Sequence, residues 1–533
     1  MEADGIASQT VIYLSTNLRL RRSFTSTSEP TEEGRPSHAP KPILDIKHVR
    51  ENPQLHSQNA IDRNYHNQRQ SPFRIAELFE RRQAVQHGSR EVRSRLKQLH
   101  QSLGKSNSPG DATQGEDTQA RILEEARKLK DDVAAVEAQE TEATAEMEDL
   151  ALRLPNLTSN ETPIGDTPRV VSYINCDGEP DKVTSETPGK SHVDIGAELD
   201  LLDFSAASTS SGWGWYYLTN EAMLLEQALI QYALSVALAR GWRGVAPPSI
   251  VYSHVGAACG FRPRDQHGEQ QIYTLEQASS NRKRKPELSL AGTAEIPLAA
   301  MKANQTLPGS LLPLKVIGPS RCYRAEAGAR GVDTKGLYRV HEFTKVELFA
   351  WTSPDLASAT AVFDEALAIQ TAILQSLHLP CRVLEMPTAD LGASAARKRD
   401  IETLFPSRRG RRKLSSSSSS TTTTTTHDSA PDPGWGELTS ASLCTDYQTR
   451  RLATRSKTPS GKLAFPYTVN ATALAVPRVL AALLENGWDE GAGTVAVPEV
   501  LRPWMGGRDV IGKVIGEGKE GARWRGGGGD AVV

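Results

Sequence analysis

"RAEAGARGVDTKGLYRVHEFTKVELF" (residues 324–349) alternates in a pattern that predicts a β-strand from residue 339 onward. Successive side chains of a strand point to opposite faces of the sheet. The odd-numbered positions therefore share one face, which carries two cations, a carboxylate, a histidine and one aromatic ring: Arg339, His341, Phe343, Lys345 and Glu347. Upstream, Arg324 and Glu326 are also two residues apart, which favours a partner strand joined through the loop 327–336. This charged face predicts a binding site rather than a solvated strand edge.

Length and composition indicate a large chain with a sizeable core. The chain has 533 residues, 38% of them hydrophobic, and a net charge of −2, so any nucleic acid must be bound by a local basic patch. The five cysteines are far apart and form no C-x-x-C pair, so we expect neither a zinc site nor a disulfide framework. No apolar run is long enough to predict a membrane-spanning segment.

The N-terminal stretch "TNLRLRRSFTSTSEP" (16–30) has the composition of an import leader. It places Arg19, Arg21 and Arg22 beside a Ser/Thr cluster, and no acidic residue occurs from position 5 to 28. Arg- and Ser-rich, acid-poor leaders suit mitochondrial import. We therefore expect residues 1–41 to be a disordered leader that directs the chain to the mitochondrial matrix. The alternative is a plain disordered tail on a cytoplasmic protein.

Two heptad segments predict an antiparallel helical arm over residues 42–155. Leu78, Val85, Val92 and Leu99 repeat every seven residues, and apolar positions from 122 to 154 follow alternating spacings of four and three. That spacing is the seam of a coiled coil, and the polar link 105–117 lets the two helices fold back on each other. The basic residues on the outer faces suit either an ordinary solvated surface or an arm that contacts phosphates.

Composition sets the remaining boundaries. Residues 156–211 are rich in Pro and Gly over most of their length and are expected to connect the arm to a large α+β domain, 212–505, built on an antiparallel sheet flanked by helices. Within that domain, 407–434 begins with basic residues and continues into runs of Ser and Thr. So little apolar surface predicts a disordered insertion. The glycine-rich tail 506–533 is expected to be flexible.

Three stretches combine unusual polar residues: "GTAEIPL" (292–298), the opening stretch, and "GELTSASLCTDYQTRR" (436–451) with "TVNATALAVPRVL" (468–480). The guanidinium groups of Arg324, Arg339 and Arg478 suit phosphate oxygens, and the Phe343 ring offers a stacking face. The acids Glu295 and Glu347 suit an ammonium group. Glu437 and Ser440 supply hard oxygen ligands of the kind that suit Mg²⁺. The inventory predicts a site for a nucleoside triphosphate and a small amine, although no P-loop is present.

These stretches resemble the motifs of class II aminoacyl-tRNA synthetases of the seryl type. The matching segments are motif 1 at 220–251, the serine-binding loop "TAEIPL" at 293–298, motif 2 at 324–347, motif 3 at 470–486, the tRNA-binding arm from "LDIKHVRENP" at 44–53 onward, and the closing segment at 497–507. The resemblance spans about 42–505. In motif 3, Ala471, Thr472 and Pro477 depart from the commonest pattern, as does Leu443 nearby, which leaves the local hydrogen bonding open.

The resemblance implies the class II antiparallel sheet and a serine–tRNA ligase. Such an enzyme activates L-serine with ATP and Mg²⁺ to seryl-adenylate and transfers the seryl group to the 3′ end of tRNA(Ser), with tRNA(Sec) left open as a second acceptor. It also implies a homodimer. Two alternatives remain at this point: a catalytically inactive paralogue that binds RNA, and a ligase that charges a carrier protein. The complete inventory favours the active enzyme, and the long arm favours tRNA.

The resemblance also implies a role for each residue. The residues that would act in catalysis are Arg324 at the α-phosphate, Glu326 at the adenine amino group, Arg339 at the outer phosphates, and Arg478 at adenine or the γ-phosphate. The ATP site would further include Ala325, Phe343, Leu438 and Thr439, with Glu437 and Ser440 meeting Mg²⁺. The serine pocket would comprise Thr293, Ala294, Glu295, Arg324, Glu347, Asn470 and Thr472.

Overall fold

The computed structural model describes residues 39–106, 116–179, 189–261, 271–277, 285–326, 336–409 and 434–512. Five sequence-based predictions lie largely outside these residues: the leader 1–41, the link 105–117, the loop 327–336, the insertion 407–434 and the tail 506–533. The expected disorder of the leader, the insertion and most of the tail therefore stays a prediction, as do the turn predicted for the link and the loop predicted between the two strands.

Among the described residues, the elements up to Arg153 are helical, and helices and strands alternate after them. The helices are α1 (Ile46–Glu51), α2 (Pro53–Asp62), α3 (Ser71–Ser106), α4 (Glu116–Arg153), α5 (His192–Glu198), α6 (Phe204–Ser211), α7 (Asn220–Leu238), α8 (Ser253–Ala258), α9 (Glu295–Ala300), α10 (Leu356–Ser376), α11 (Tyr447–Arg451) and α12 (Val476–Asn486). Short 3₁₀ turns occupy His66–Gln68, Gly309–Leu311, Gly336–Tyr338, Thr388–Asp390, Pro406–Arg408 and Glu499–Met505.

The strands form one large sheet and several small ones. They are β1 (Arg169–Ile174), β2 (Leu202–Asp203), β3 (Tyr217–Leu218), β4 (Arg243–Gly244), β5 (Ile250–Tyr252), β6 (Leu288–Leu290), β7 (Thr306–Leu307), β8 (Leu314–Tyr323), β9 (Glu342–Thr352), β10 (Cys381–Glu385), β11 (Arg397–Leu404), β12 (Trp435–Thr445), β13 (Arg455–Lys457), β14 (Leu463–Ala464), β15 (Tyr467–Ala475), β16 (Trp488–Asp489), β17 (Thr494–Ala496) and β18 (Val510–Gly512). The large sheet has the order β1-β10-β11-β12-β15-β9-β8-β4. Its pairs are antiparallel except β4 with β8, as predicted for this α+β fold.

Helices α3 and α4 form the antiparallel arm that the heptads predict. Their cross-helix contacts run in opposite directions: Arg74 pairs with Glu146 (2.8 Å) near the base, and Arg95 pairs with Glu125 (2.8 Å) farther out. Apolar seam residues at the base are buried, among them Leu78 and Met147. With 36 and 38 residues, the two helices are about 55 Å long at about 1.5 Å per residue.

Helix α10 packs against one face of the large sheet and is hydrogen-bonded to its central strands β12 and β15. The Asp355 side chain caps its N-terminus by accepting a hydrogen bond from the Ser358 backbone N–H (2.8 Å). The fully buried Gln370 donates through Nε2 to the carbonyl oxygens of Ser440 (2.9 Å) and Thr472 (2.8 Å). Within the described residues, α10 is the one helix apolar and long enough by composition to cross a membrane. Here it packs one apolar face on the sheet, as core helices do.

The opening stretch forms the predicted pair of strands, but the strands are shorter than predicted. Strand β8 ends at Tyr323 and β9 begins at Glu342, its register partner, so Arg324, Arg339 and His341 lie beyond the strand ends. The strand prediction for residues 339–341 was therefore wrong. The physical reason is tertiary: the His341 N–H donates to the Gly214 carbonyl (2.9 Å), in a segment far away along the chain.

Regular structure also occurs in the connector and at the start of the predicted flexible tail. The connector 156–211 supplies β1, which pairs with β10 at the edge of the large sheet, together with α5 and α6. Residues 506–512 belong to the fold, because β18 pairs with β17 and buries Ile511. Glycine content alone therefore overestimated the length of the flexible tail, since one buried residue such as Ile511 helps to hold a short edge strand.

Candidate active site

A cavity of about 750 Å³ opens beside the sheet where β8, β9, β12 and β15 meet. Ten of the residues selected from the sequence line it: Arg324, Glu326, Arg339, Phe343, Glu437, Leu438, Thr439, Ser440, Thr472 and Arg478. Six others selected for the same site are absent from its lining: Ala325, Thr293, Ala294, Glu295, Glu347 and Asn470. The described lining therefore coincides mainly with the predicted ATP site.

Arginines and one phenylalanine form the floor of the cavity. The Arg324 guanidinium lies 5.3 Å from the centre of the Phe343 ring, and its Nε donates to the Gly292 carbonyl (3.4 Å). Arg339 Nη1 lies 3.2 Å from Glu326 Oε2, so two predicted ATP ligands are paired with each other. Fixed cations beside an aromatic face suit a nucleotide, whose phosphates and base need these two kinds of contact.

Arg478 closes the cavity from the start of α12. Its Nη1 lies 3.0 Å from Glu437 Oε2, its Nε donates to the Tyr338 carbonyl (3.3 Å), and its guanidinium stands 4.9 Å from the centre of the Tyr338 ring. Burial acts to raise the pKa of Glu437, but Arg478 and Lys398 together lower it to about 2. Glu437 therefore carries a full negative charge at neutral pH.

Oxygen atoms beside Glu437 fit a divalent cation. Ser440 and Asp400 are direct partners across β12 and β11, so both side chains point to the same face. Asp400 Oδ2 accepts a hydrogen bond from Lys398 Nζ (2.7 Å), while its buried Oδ1 has no hydrogen-bond partner among the described residues. Mg²⁺ prefers such hard oxygen ligands. Asp400 is therefore a third candidate ligand for the cation beside Glu437 and Ser440, and no local sequence pattern pointed to it.

Most of the residues predicted to bind serine cluster directly behind the cavity, and Thr472 belongs to both the cluster and the cavity lining. Glu347 and Thr472 are cross-strand partners on β9 and β15, and Thr472 Oγ1 donates to Glu347 Oε2 (3.3 Å). The same carboxylate oxygen lies 2.8 Å from Lys345 Nζ, and Lys345 itself lines the cavity. Glu347, Thr472 and the second predicted acid, Glu295, are all at most 5% exposed. Lys345 therefore connects the open cavity to the buried cluster.

Glu295 is the most perturbed acid of this cluster. It lies at the start of α9, where the Thr293 hydroxyl accepts a weak hydrogen bond from the Glu295 N–H (3.4 Å). Its Oε1 accepts a hydrogen bond from Gln448 Nε2 (2.6 Å). Burial, followed by the negative charge of Glu347, raises the pKa of Glu295 to about 8. The empty pocket therefore holds Glu295 mostly protonated at neutral pH.

The other predicted pocket residues lie nearby in supporting positions. Asn470 follows on β15, and its Oδ1 accepts a weak hydrogen bond from the Cys444 thiol (3.3 Å). Ala294 is fully buried in the apolar cluster under α9. Leu443, which replaces a polar residue common in the family, is buried in the main core, where it faces apolar neighbours rather than the cavity.

Four kinds of contact were not foreseen from the sequence. Gln448 is fully buried, holds Glu295 and accepts a hydrogen bond from Thr468 Oγ1 (2.7 Å), although it lies inside a stretch already selected for its polarity. The ion pair of Lys345 with Glu347 was also not foreseen, because Lys345 had no role assigned from the sequence. His341 Nδ1 lies 2.9 Å from the Arg324 carbonyl oxygen, and the histidine ring stacks on Trp215. The fourth is a wall of the cavity built by residues near the N-terminus, for which no local pattern gave a signal.

Known proteins resemble this chain over most of its length. A family model for the tRNA synthetase class II core domain (G, H, P, S and T) matches residues 273–487, and one for the seryl-tRNA synthetase N-terminal domain matches residues 43–158. The mitochondrial serine–tRNA ligase of Schizosaccharomyces pombe is 35% identical over 93% of each chain. That of Saccharomyces cerevisiae is 43% identical over 67% of this chain and 72% of its own.

Solved structures also resemble this chain over most of its length. The crystal structure of seryl-tRNA synthetase from Pyrococcus horikoshii complexed with ATP superposes with a TM-score of 0.74 at 30% identity, and it covers 89% of this chain and all of that one. The cytoplasmic serine–tRNA ligase from Naegleria fowleri in complex with AMP gives 0.70 at 25% identity, with 88% and 98% covered.

Proposed function

Because the chain belongs to the seryl-tRNA synthetase family and is a serine–tRNA ligase, we propose that its cavity binds ATP in front and L-serine behind. The arrangement of β9 supports this division. Phe343, Lys345 and Glu347 alternate along one strand, so their side chains point to the same face. The ring of Phe343 then faces adenine, and Glu347 lies about 13 Å farther along the strand, beside the serine ammonium group.

The ATP half holds phosphates with fixed cations. Arg324 contacts the α-phosphate, Arg339 turns from Glu326 to the outer phosphates, and Glu326 is thereby freed for the adenine amino group. Arg478 packs on the other face of adenine or meets the γ-phosphate. Ala325, Leu438 and Thr439 contribute backbone around the nucleotide. Glu437, Ser440 and Asp400 would hold Mg²⁺, which would supply positive charge to neutralise the phosphates.

Activation needs no general base. The serine carboxylate is already a nucleophile; it attacks the α-phosphorus in line, and pyrophosphate leaves. The side chains therefore act by holding both reactants in place and by stabilising the negative charge that grows on the phosphate oxygens. Arg324 lies between the two halves and is placed for the second task.

The serine half selects its amino acid through paired polar groups. Glu295 and Glu347 surround the ammonium group, and Thr472, with Thr293 and Asn470 nearby, lines the pocket around the hydroxyl. Alanine lacks the hydroxyl and leaves these buried groups without a partner, which costs far more than a missing methylene. Threonine carries an extra methyl group that the closely packed cluster excludes by size.

The arm, the partner subunit and the compartment complete the proposal. Exposed basic residues on α3 and α4, such as Arg90 and Lys128, contact phosphates of tRNA(Ser). The enzyme works as a homodimer, because the family resemblance implies one. The mitochondrial names of the fungal relatives, together with the Arg- and Ser-rich stretch 16–30, support the mitochondrial matrix. No feature of the cavity favours the inactive paralogue.

An exchange assay tests the proposal. The enzyme is incubated with ATP, labelled pyrophosphate and serine, threonine, alanine or no amino acid. Serine should support exchange at least about a hundredfold faster than alanine, because the alanine complex leaves buried polar groups unpaired. Exchange without an amino acid, or equal exchange with alanine, would contradict the assignment of the serine half.

A further inference from the structure

Three residues from the N-terminal part of the chain form one wall of the catalytic cavity. Tyr65, Asn67 and Gln68 line the same cavity as Arg324 and Thr472. They belong to the 3₁₀ turn His66–Gln68 and its first flanking residue, between α2 and the long arm helix α3. A segment assigned to tRNA binding by its position in the chain therefore also shapes the site of the chemistry.

Buried hydrogen bonds fix this wall to the catalytic domain. Arg63, only 1% exposed, donates to the carbonyl oxygens of Asn156 and Gly392. Asn156 in turn donates from its backbone N–H to the Ala393 carbonyl (2.9 Å) and from Nδ2 to the Ser394 carbonyl (2.9 Å). Ala393 lines the cavity beside the three N-terminal residues. Two chain segments more than three hundred residues apart thus form one rigid corner.

This corner lies at the serine end of the cavity. The turn at Gly260 touches it: a Cβ at that position would lie 3.2 Å from the Cβ of Ala393. Asn156 Nδ2 also donates to the Cys444 carbonyl oxygen (2.8 Å), and the Cys444 thiol donates to Oδ1 of Asn470 (3.3 Å), one of the residues assigned to serine. The wall is therefore close to the residues assigned to serine, whereas the arginines assigned to the phosphates line the cavity floor.

The chemistry of the wall suits a nucleobase better than a phosphate. Tyr65 and Phe261 are half-buried aromatic side chains on the same cavity, and Asn67 and Gln68 offer amide donors and acceptors without charge. Proteins bind unpaired nucleotides by stacking bases on aromatic rings and by hydrogen bonds to base edges. A neutral amide pair beside two aromatic rings provides both kinds of contact.

We propose that Tyr65, Asn67 and Gln68 bind the terminal nucleotide of the tRNA acceptor end and position its ribose hydroxyl for the transfer step. This inference rests on the function proposed above. In that step a ribose hydroxyl forms an ester bond with the seryl carbonyl carbon. The bond from that carbon to the phosphate oxygen breaks, and AMP leaves with the bonding electrons and takes up the hydroxyl proton. The wall lies where the incoming hydroxyl must arrive, next to the serine carbonyl.

The wall is close to the arm along the chain. Helix α3 begins at Ser71, three residues after Gln68, so the wall ends where the arm begins. Tyr65, Asn67 and Gln68 act in the transfer step. Serine activation needs no tRNA and depends on the other residues of the cavity.

The test separates the two half-reactions in the full-length enzyme. Tyr65→Ala and Gln68→Ala are compared with His66→Ala, a matched control in the same turn whose exposed side chain is absent from the cavity lining. Serine-dependent exchange is measured without tRNA, and transfer is measured in a single turnover from preformed seryl-adenylate. The ratio of transfer to exchange should fall about tenfold or more in the first two variants, the order expected for a lost base–aromatic contact, and stay unchanged in His66→Ala.

A binding experiment provides a second readout. The probes are intact tRNA(Ser) and the same tRNA without its 3′-terminal nucleotide. Wild-type enzyme should prefer the intact tRNA about tenfold, Tyr65→Phe should retain the preference, and Tyr65→Ala should lose it. Equal loss of exchange and transfer, or a preference that survives Tyr65→Ala, would overturn the inference. Absence of serine-dependent exchange in the wild type would instead overturn the proposed function.

Discussion

The affinity for serine should rise with pH because the empty pocket holds Glu295 protonated. Glu295 is 5% exposed, and burial and the neighbouring charge of Glu347 together raise its pKa to about 8. The opposing effects of Lys345, Gln448 and Arg324 are smaller. A serine ammonium group binds best to an ionised Glu295, so below this pKa the protein must first release a proton.

The size of the effect follows from the pKa. At about pH 7, one unit below the pKa, only about a tenth of the molecules carry the ionised carboxylate, which costs about 1.4 kcal/mol of binding free energy. The KM for serine should therefore fall about tenfold between about pH 7 and a plateau above about pH 8. Free serine keeps its ammonium group over most of this range, so the slope reports the protein.

The assay is pyrophosphate exchange at saturating ATP, with the serine KM determined in steps of about half a pH unit. The KM for ATP in the same buffers serves as an internal control, and Glu295→Gln removes the titrating group. The variant should bind serine weakly and without a pH slope. A serine KM that stays flat between about pH 7 and pH 8 in the wild type, or a slope that persists in Glu295→Gln, would refute the reasoning.

Three further predictions use other properties of the same structure. Glu295→Gln should raise the melting temperature of the ligand-free enzyme at pH 8, because a folded-state pKa of about 8 against 4.5 makes wild-type stability fall as pH rises through that window; calorimetry at pH 5 and pH 8 checks the sign. Arg324→Ala should lower exchange at least about a hundredfold while the circular dichroism spectrum and melting temperature stay close to wild type, since the arginine is placed to stabilise phosphate charge. Deletion of residues 72–153 should abolish charging of tRNA(Ser) yet leave exchange intact; unchanged charging would show that the arm has another role.

Local patterns predicted the parts of the fold that depend on local physics. The heptads gave the two arm helices, because an apolar seam every 3.5 residues can be buried only against a second helix. Alternation along β9 placed Phe343, Lys345 and Glu347 on one face, since a strand leaves no other choice. The family resemblance then supplied roles that spacing alone does not define.

The misses share one cause, which is long-range contact. Alternation continues through Arg339 and His341, but the His341 N–H bonds to Gly214 and ends the strand at Glu342. Gln448 looks like an ordinary polar residue until Glu295, more than a hundred residues earlier in the chain, is placed against it. Tyr65 and Gln68 carry no local signal, because their role appears only when Arg63 bonds to Gly392 and seats them on the cavity.

The charges of the serine pocket explain why one of its two acids should be protonated when it is empty. Lys345 forms a buried ion pair with Glu347 at 2.8 Å, and a second ionised carboxylate beside that pair would remain uncompensated in a poorly solvated site. A proton on Glu295 removes this excess charge. When serine binds, its ammonium group replaces that proton, so the pocket has the same net charge before and after binding. The carboxylate of serine is balanced separately by Arg324. A hydroxy acid without the ammonium group would leave Glu295 protonated and should bind weakly, and its affinity should fall rather than rise between about pH 7 and pH 8, because it binds only the protonated form.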